Sequence, residues 1–417
     1  MSALNVTVAL LAGFTALAVS AAGQTPPGTL TTLYSFGSVS SPGTGVLIGS
    51  GGVLYGTASD SKSAVYSLTA SDTGWTYQIL YTFGAAVSPN ALATDSNGVI
   101  YGATRNGGIV DTGCGTDGCG SVYSLTPPSS PGGAWTKTTL YEFTGAGNDK
   151  NPAAGVTLGP GAAGQQVLYG VTNGAGAGTV FSLTPPATPG ATWTEAIVHT
   201  FSGGDDGGNP DGALAIDSNG VLYGTTVYGG PSKNGTVFSL TPPVSPGGGW
   251  TKTMLFNFAA SSPGNGSGPQ GGLLLGPGGE LYGVTIYGGA SDNGGTAYEL
   301  APPASPGGAW TETVLHSFGR ISNMASVPGP LALGANGVLY GATYAGGGTQ
   351  QGSIFALVPP TSPGSAWNFL ILYSFATPGG ISPSAGELLA VGSSGLIYGT
   401  TSHGGPSNDG TVFSLVP

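Results

Sequence analysis

The densest group of acids in the chain is Asp205-Asp206-Gly207-Gly208-Asn209-Pro210-Asp211. Several carboxylate oxygens on one glycine-rich loop could ligate calcium, yet the full twelve-residue loop pattern with its terminal Glu is absent. Two carboxylates could also divide acid and base roles at a glycosidic bond, with Arg105 as a charged companion. Adjacent residues on one loop seldom address opposite sides of a substrate, which weighs against that chemistry. The three histidines, His199, His316 and His403, are too scattered for a metal or catalytic cluster. Two of them stand where sister segments carry Tyr34, Tyr81, Tyr141, Phe256 and Tyr373, so they read as structural aromatic substitutes. Cys114 and Cys119 read as a local disulfide, because two thiols alone cannot complete a zinc site and the Cys-x-x-Cys redox spacing is missing. No nucleophile elbow, zincin motif or phosphate loop is present. Neither a cofactor nor a metal is expected, and the balance leans away from catalysis.

These residues sit in a strongly periodic chain. Leu/Ile-Tyr-Gly recurs with its tyrosines at Tyr55, Tyr101, Tyr169, Tyr223, Tyr282, Tyr340 and Tyr398. An aromatic-x-Leu motif follows each, at Tyr66, Tyr123, Phe181, Phe238, Tyr298, Phe355 and Phe413. A third motif ends at Phe36, Phe83, Phe143, Phe201, Phe258, Phe318 and Phe375. Each unit holds four short apolar segments separated by Gly, Pro, Asn or Ser, the pattern of a four-stranded meander. In the fourth unit these are 212–216, 221–226, 236–241 and 250–258. Asp217 and Asp95 each open an Asp-Ser-Asn-Gly turn, and Pro-Pro linkers after the third segment end its pairing.

A lone meander would leave apolar faces and open edges, whereas units stacked face to face around an axis bury them. Seven units predict an all-β, seven-bladed propeller spanning 24–417 as one domain. The last unit ends at Pro417, after its third segment, while 29–36 matches a fourth segment and stands before the first unit. That N-terminal strand is expected to complete the last blade and close the ring. The tryptophans Trp75, Trp135, Trp193, Trp250, Trp310 and Trp367 open the fourth segments and read as blade packing rather than as sugar platforms.

Glycine and proline are abundant, at 80 and 32 of 417 residues, but only 6% of residues are charged and 39% are hydrophobic, so the chain can bury a core. The net charge of −11 comes without a basic cluster, which excludes nucleic acid as a partner. Residues 1–23 carry an apolar run ending in Ser20-Ala21-Ala22, which fits a cleaved secretory signal. An uncleaved anchor or an incidental apolar terminus are the alternatives, since no Lys or Arg precedes the run. The mature chain has no other membrane span and is expected to be an extracellular, cell-surface or periplasmic monomer.

The run Leu222-Tyr223-Gly224-Thr225-Thr226-x-x-Gly229-Gly230, followed by Gly235-Thr236-Val237-Phe238-Ser239-Leu240, resembles the bacterial tandem repeat known as the GloVer repeat. Ile397-Tyr398-Gly399-Thr400-Thr401 and Gly410-Thr411-Val412-Phe413 repeat it, while the first unit departs with Ala58. The resemblance implies a secreted or surface protein with no established activity and no catalytic residues to carry over.

Antiparallel alternation puts the second-to-third loops and the unit-to-unit connections on one face. That face is the place to seek a ligand, an extracellular glycan or protein, with Arg105, Asp205, Asp206, Tyr228, Tyr287, Tyr344 and His403 as candidate contacts. A polysaccharide-active hydrolase or lyase and a purely structural surface component are the alternative functions.

Overall fold

A computed structural model describes residues 28–417 apart from 38–40, 60–62, 85–86, 111, 131, 146–149, 162–163, 175, 189, 246, 260–263, 290–292, 306, 322–323, 326–327, 346–350, 363, 377–382 and 384–387. The proposed signal segment, 1–23, lies outside the described residues. The strands form seven antiparallel sheets arranged as a seven-bladed β-propeller, with a small separate ribbon pairing Arg320–Ile321 with Met324–Ala325. Blade four shows the plan: an inner strand in two pieces, Gly208–Pro210 and Ala215–Ile216, then Leu222–Tyr228, Thr236–Thr241 and an outer strand Thr251–Asn257.

The inner strand differs from the expected single segment over 212–216. It starts earlier and breaks at 211–214, because inner strands converge on the axis until backbones touch. A Cβ on Gly212 would lie 2.1 Å from the Gly272 nitrogen of blade five.

The ring closes as expected. Thr29–Ser35 pairs antiparallel with Thr411–Val416, in register from Thr29↔Val416 to Ser35↔Thr411 with one bulge. Gly28 N–H also donates to the Leu372 carbonyl of blade six. The N-terminal strand is thus the outer strand of blade seven, whose inner strands come from the C-terminal unit.

Two aromatic series seal the blades to one another. Each motif-ending Phe meets the third-strand aromatic of the next blade: Phe83 on Tyr123, Phe143 on Phe181, Phe201 on Phe238, Phe258 on Tyr298, Phe318 on Phe355 and Phe375 on Phe413. Phe36 on Tyr66 completes the circle across the chain ends, with centroids 5.4 Å apart. Such pairs contribute about 0.5–1.5 kcal/mol each beyond burial. In the second series each Trp stands edge-on to the Leu/Ile-Tyr-Gly tyrosine of the preceding blade, as Trp250 does to Tyr169 and Trp75 to Tyr398. The tryptophans therefore pack between blades. Six tryptophans serve seven seams because the remaining outer strand is the N-terminal one, which carries none.

In six of the seven blades a glycine before the third strand fixes the seam backbone, and in blade one Ser63 stands there. At Gly235, φ is +95° and a Cβ would meet Pro269 of blade five and the Thr226 carbonyl, both at 2.5 Å. Its carbonyl accepts the Phe258 N–H at 3.1 Å. No L side chain fits that conformation and that space together.

Candidate functional site at the channel mouth

The seven inner strands enclose a central channel of about 310 Å³. Its wall is mostly small or aliphatic, including Gly45, Ala91, Gly155, Ala213 and Leu388, and its polar side chains are Thr44, Asn90, Asp211 and Gln270. Thr44 pairs with the Thr57 hydroxyl at 2.8 Å. Asn90 donates to the Pro152 and Ala154 carbonyls, at 3.0 and 3.1 Å, and ties blade two to blade three.

Asp211 is the one carboxylate on the channel wall among the described residues. Burial raises its pKa above the ordinary carboxylate value, although the Gln270 amide donates to it and the Arg105 charge acts against the rise. A partly desolvated carboxylate beside an amide is suited to holding the hydroxyls of a polar ligand.

Asn90, Asp211 and Gln270 occupy one position in the repeat, the residue after the proline of the inner strand: Pro89-Asn90, Pro210-Asp211 and Pro269-Gln270. Blades one, three and six carry Gly43, Ala153 and Gly329 there. In the sequence Asp211 is one member of an acidic loop, and nothing local to it reveals its place at the axis. The signal was available, since Pro-x recurs once per unit and the second residue is the one that varies around the axis.

The structure separates the other candidates. Arg105 is exposed at the end of the second strand of blade two, its carbonyl accepting from Asn151 Nδ2 at 2.9 Å, and its charge reaches Asp211. It does not join Asp205 and Asp206 in one site. Asp205 is exposed, and neither it nor Asp206 lines the channel. Asp206 is turned to the seam between blades three and four, 2.6 Å from Lys252 Nζ and 3.2 Å from His199 Nε2. Burial, aided by the Lys252 charge, keeps His199 below the ordinary imidazole pKa although Asp206 acts to raise it.

Tyr228, Tyr287 and Tyr344 lie on the loop-rich face at the ends of second strands in consecutive blades, and are 61%, 46% and 41% exposed. Tyr344 stands one register position before the others, in line with Val227 and Ile286. His403 is exposed at the matching place in blade seven, its Nδ1 2.9 Å from Ser402 Oγ.

Cys114 and Cys119 are disulfide-bonded within the long second-to-third loop of blade two. Asp95 and Asp217 bond their own turns as expected: Asp217 Oδ1 accepts from the Asn219 and Val221 N–H groups, both at 2.9 Å, and Asp95 does the same with Asn97 and Val99. Among the described residues, no group of three or more His, Cys, Asp or Glu is placed to hold a metal ion. No helix among them is long and apolar enough to cross a membrane.

The fold and its repeated seams define a tandem-repeat β-propeller. A family profile for the Gloeobacter/Verrucomicrobia repeat matches residues 41–276, 108–355 and 244–417, and the chain belongs to that family. No curated protein matches the sequence. Solved structures that resemble it include a protein of unknown function from Dyadobacter fermentans, at 14% identity over 82% of this chain and 96% of that one, TM-score 0.45. The periplasmic gluconolactonase of Pseudomonas aeruginosa is 15% identical over 90% of this chain and 95% of that one, TM-score 0.49. An endosialidase of phage phi92 is 11% identical over 93% and 68%, TM-score 0.47. They say nothing of this chain's activity.

Proposed function

We propose that the protein is an exported binding module whose loop-rich face engages a glycan. The observation that carries this reading is the run of exposed tyrosines on three consecutive blades, Tyr228, Tyr287 and Tyr344, on the loop-rich face of a propeller whose channel holds Asp211 beside Gln270, with the Arg105 charge acting on Asp211. Aromatic faces pack against the C–H surface of sugar rings, and a carboxylate with an amide accepts and donates to their hydroxyls. Binding is favoured over hydrolysis because the channel wall carries one carboxylate among its described residues, where the common glycosidase mechanisms need two. The Cys114–Cys119 disulfide supports an address outside the cytoplasm, be it the surface, the periplasm or the medium.

Glycan-array binding followed by calorimetry tests the reading, with turnover of each bound polysaccharide assayed beside it. Tyr228→Ala, Tyr287→Ala and Asp211→Asn should each weaken binding about tenfold, the loss expected of a contact worth more than about 1 kcal/mol. Binding unchanged in all three variants overturns the site. Turnover abolished by Asp211→Asn overturns the preference for binding over catalysis.

A further inference from the structure

Five of the blades carry the same linker between third and outer strands, on the rim opposite the loop-rich face. Each contains a hydroxyl residue followed by Pro and then Gly or Gly-Gly: Ser130-Pro131-Gly132, Thr188-Pro189-Gly190, Ser245-Pro246-Gly247, Ser305-Pro306-Gly307 and Ser362-Pro363-Gly364. All five hydroxyl residues are exposed. Each offers its carbonyl to the N–H three residues on, at 3.1–3.2 Å, and each following glycine has φ between +80° and +87°.

The turn does not use the hydroxyl. A closing backbone hydrogen bond, a proline and a glycine with positive φ are sufficient for a tight reversal. Among the described residues, none of the five side-chain oxygens has a hydrogen-bond partner. The chain's own turn-forming side chains behave otherwise. Asp95 and Asp217 each accept two backbone N–H groups, and Ser71 Oγ in the one hairpin of this rim that lacks the Pro-Pro linker donates to the Gly74 carbonyl at 3.0 Å. The residue just before the hydroxyl varies freely through Ser129, Ala187, Val244, Ala304 and Thr361, and Val244 is fully exposed. A small hydroxyl thus recurs at one place in five loops, exposed and outside the hydrogen bonding of the turn.

We propose that Ser130, Thr188, Ser245, Ser305 and Ser362 are acceptors for O-linked glycosylation by a neutral sugar. In the transfer, the hydroxyl oxygen bonds to the anomeric carbon of an activated sugar phosphate, and the bond from that carbon to the phosphate oxygen breaks. The phosphate leaves with the electron pair, and the hydroxyl proton passes to a base on the transferase. Protruding, proline-flanked hydroxyls are accessible to such an enzyme, and Ser/Thr with Pro is the composition of O-glycosylated segments. Charge decides for sugar over phosphate. Residues 127–134, 185–192, 242–249, 302–309 and 359–366 contain no charged side chain to receive a phosphate, and five phosphates would add roughly −8 to −10 to a chain already at −11. Neutral sugars instead supply hydration to a surface with few ionic groups, in a chain only 6% charged with mean hydropathy +0.18. This modification does not depend on what the other face binds.

The test is intact-mass measurement of the protein recovered from the cells that naturally make it, with fragmentation that preserves side-chain attachments. Mass increments of whole sugar residues, mapped to these five hydroxyls, are expected. Each single Ser→Ala or Thr188→Val variant expressed in the same cells should lose one site and keep its circular dichroism spectrum. An unmodified mass, phosphate increments removed by a phosphatase, or sugars confined to other residues would each overturn the proposal, and the wild-type map decides even if a variant misfolds.

Discussion

Lys252 Nζ stands 2.6 Å from Asp206 Oδ1 while lying 5.2 Å from the ring centre of Phe201 and 5.8 Å from that of Phe238. The ammonium is held between two aromatic faces at a seam, in the register position that Tyr77 and Phe369 fill in blades one and six. There Tyr77 stacks on Tyr34 and Phe369 on His316. A lysine in an aromatic slot needs a counter-charge, and the loop carrying Asp206 supplies it.

Removing that counter-charge should destabilise the propeller in a pH-dependent way. Burial pushes the Asp206 pKa up, but the Lys252 hydrogen bond, the Ser202 N–H and the neighbouring positive charges outweigh it, leaving the carboxyl below its usual 3.8. A depressed carboxyl stabilises the fold above its unfolded pKa and loses that contribution as pH falls through the folded value. Asp206→Asn should cost about 2 kcal/mol at neutral pH, between the values for a buried and an exposed pair, because Lys252 is left without its anion while the carboxyl is partly open to solvent. In denaturant titrations the gap between the two proteins should close once the pH drops below the folded pKa. A gap that persists unchanged into acid would show that charge is not the cause.

Glu312 predicts the opposite sign. It holds the same register position in blade five, and burial pushes its pKa up to about 7. Its Oε1 has no hydrogen-bond partner among the described residues. The folded protein favours the protonated acid, so its contribution is complete below the unfolded pKa and is lost as pH rises through about 7. Glu312→Gln should therefore match wild type near pH 4 and be more stable above the folded pKa, by about 2 kcal/mol after allowing for solvent at the seam. Equal stability of the two proteins in the alkaline range would refute this.

Closure makes the two ends of the chain one structural unit. Deleting residues through Phe36 removes the outer strand of blade seven and the Phe36–Tyr66 contact, whereas deletion through Gln24 leaves both. The longer deletion should expose the edge of Thr411–Val416, speed amide exchange from Val412 to Leu415 and promote aggregation. Unchanged protection at those four amides would contradict the pairing. Loss of the same protection in the shorter deletion would also count against it.

Blade number, strand count and closure were legible in the sequence because each blade must solve the same packing problem with the same residues. Leu-Tyr-Gly, aromatic-x-Leu and the motif-ending Phe recur since every seam needs a close-approach glycine, a ring and a ring to meet it. The missing final strand and its surplus N-terminal copy followed from counting. What lies at the axis was not legible in this way. Asp211, Asn90 and Gln270 come from different units, and only the circular arrangement turns a varying residue in each repeat into neighbours around one channel. The same reason hid the fates of the acidic pair: Asp205 and Asp206 are adjacent in the chain, yet the turn from 203 to 207 leaves one in solvent and folds the other onto Lys252, 46 residues away. Periodicity determines which surfaces pack, since packing repeats. Which side chains meet across the ring is set by tertiary structure, because those contacts join residues that no period relates.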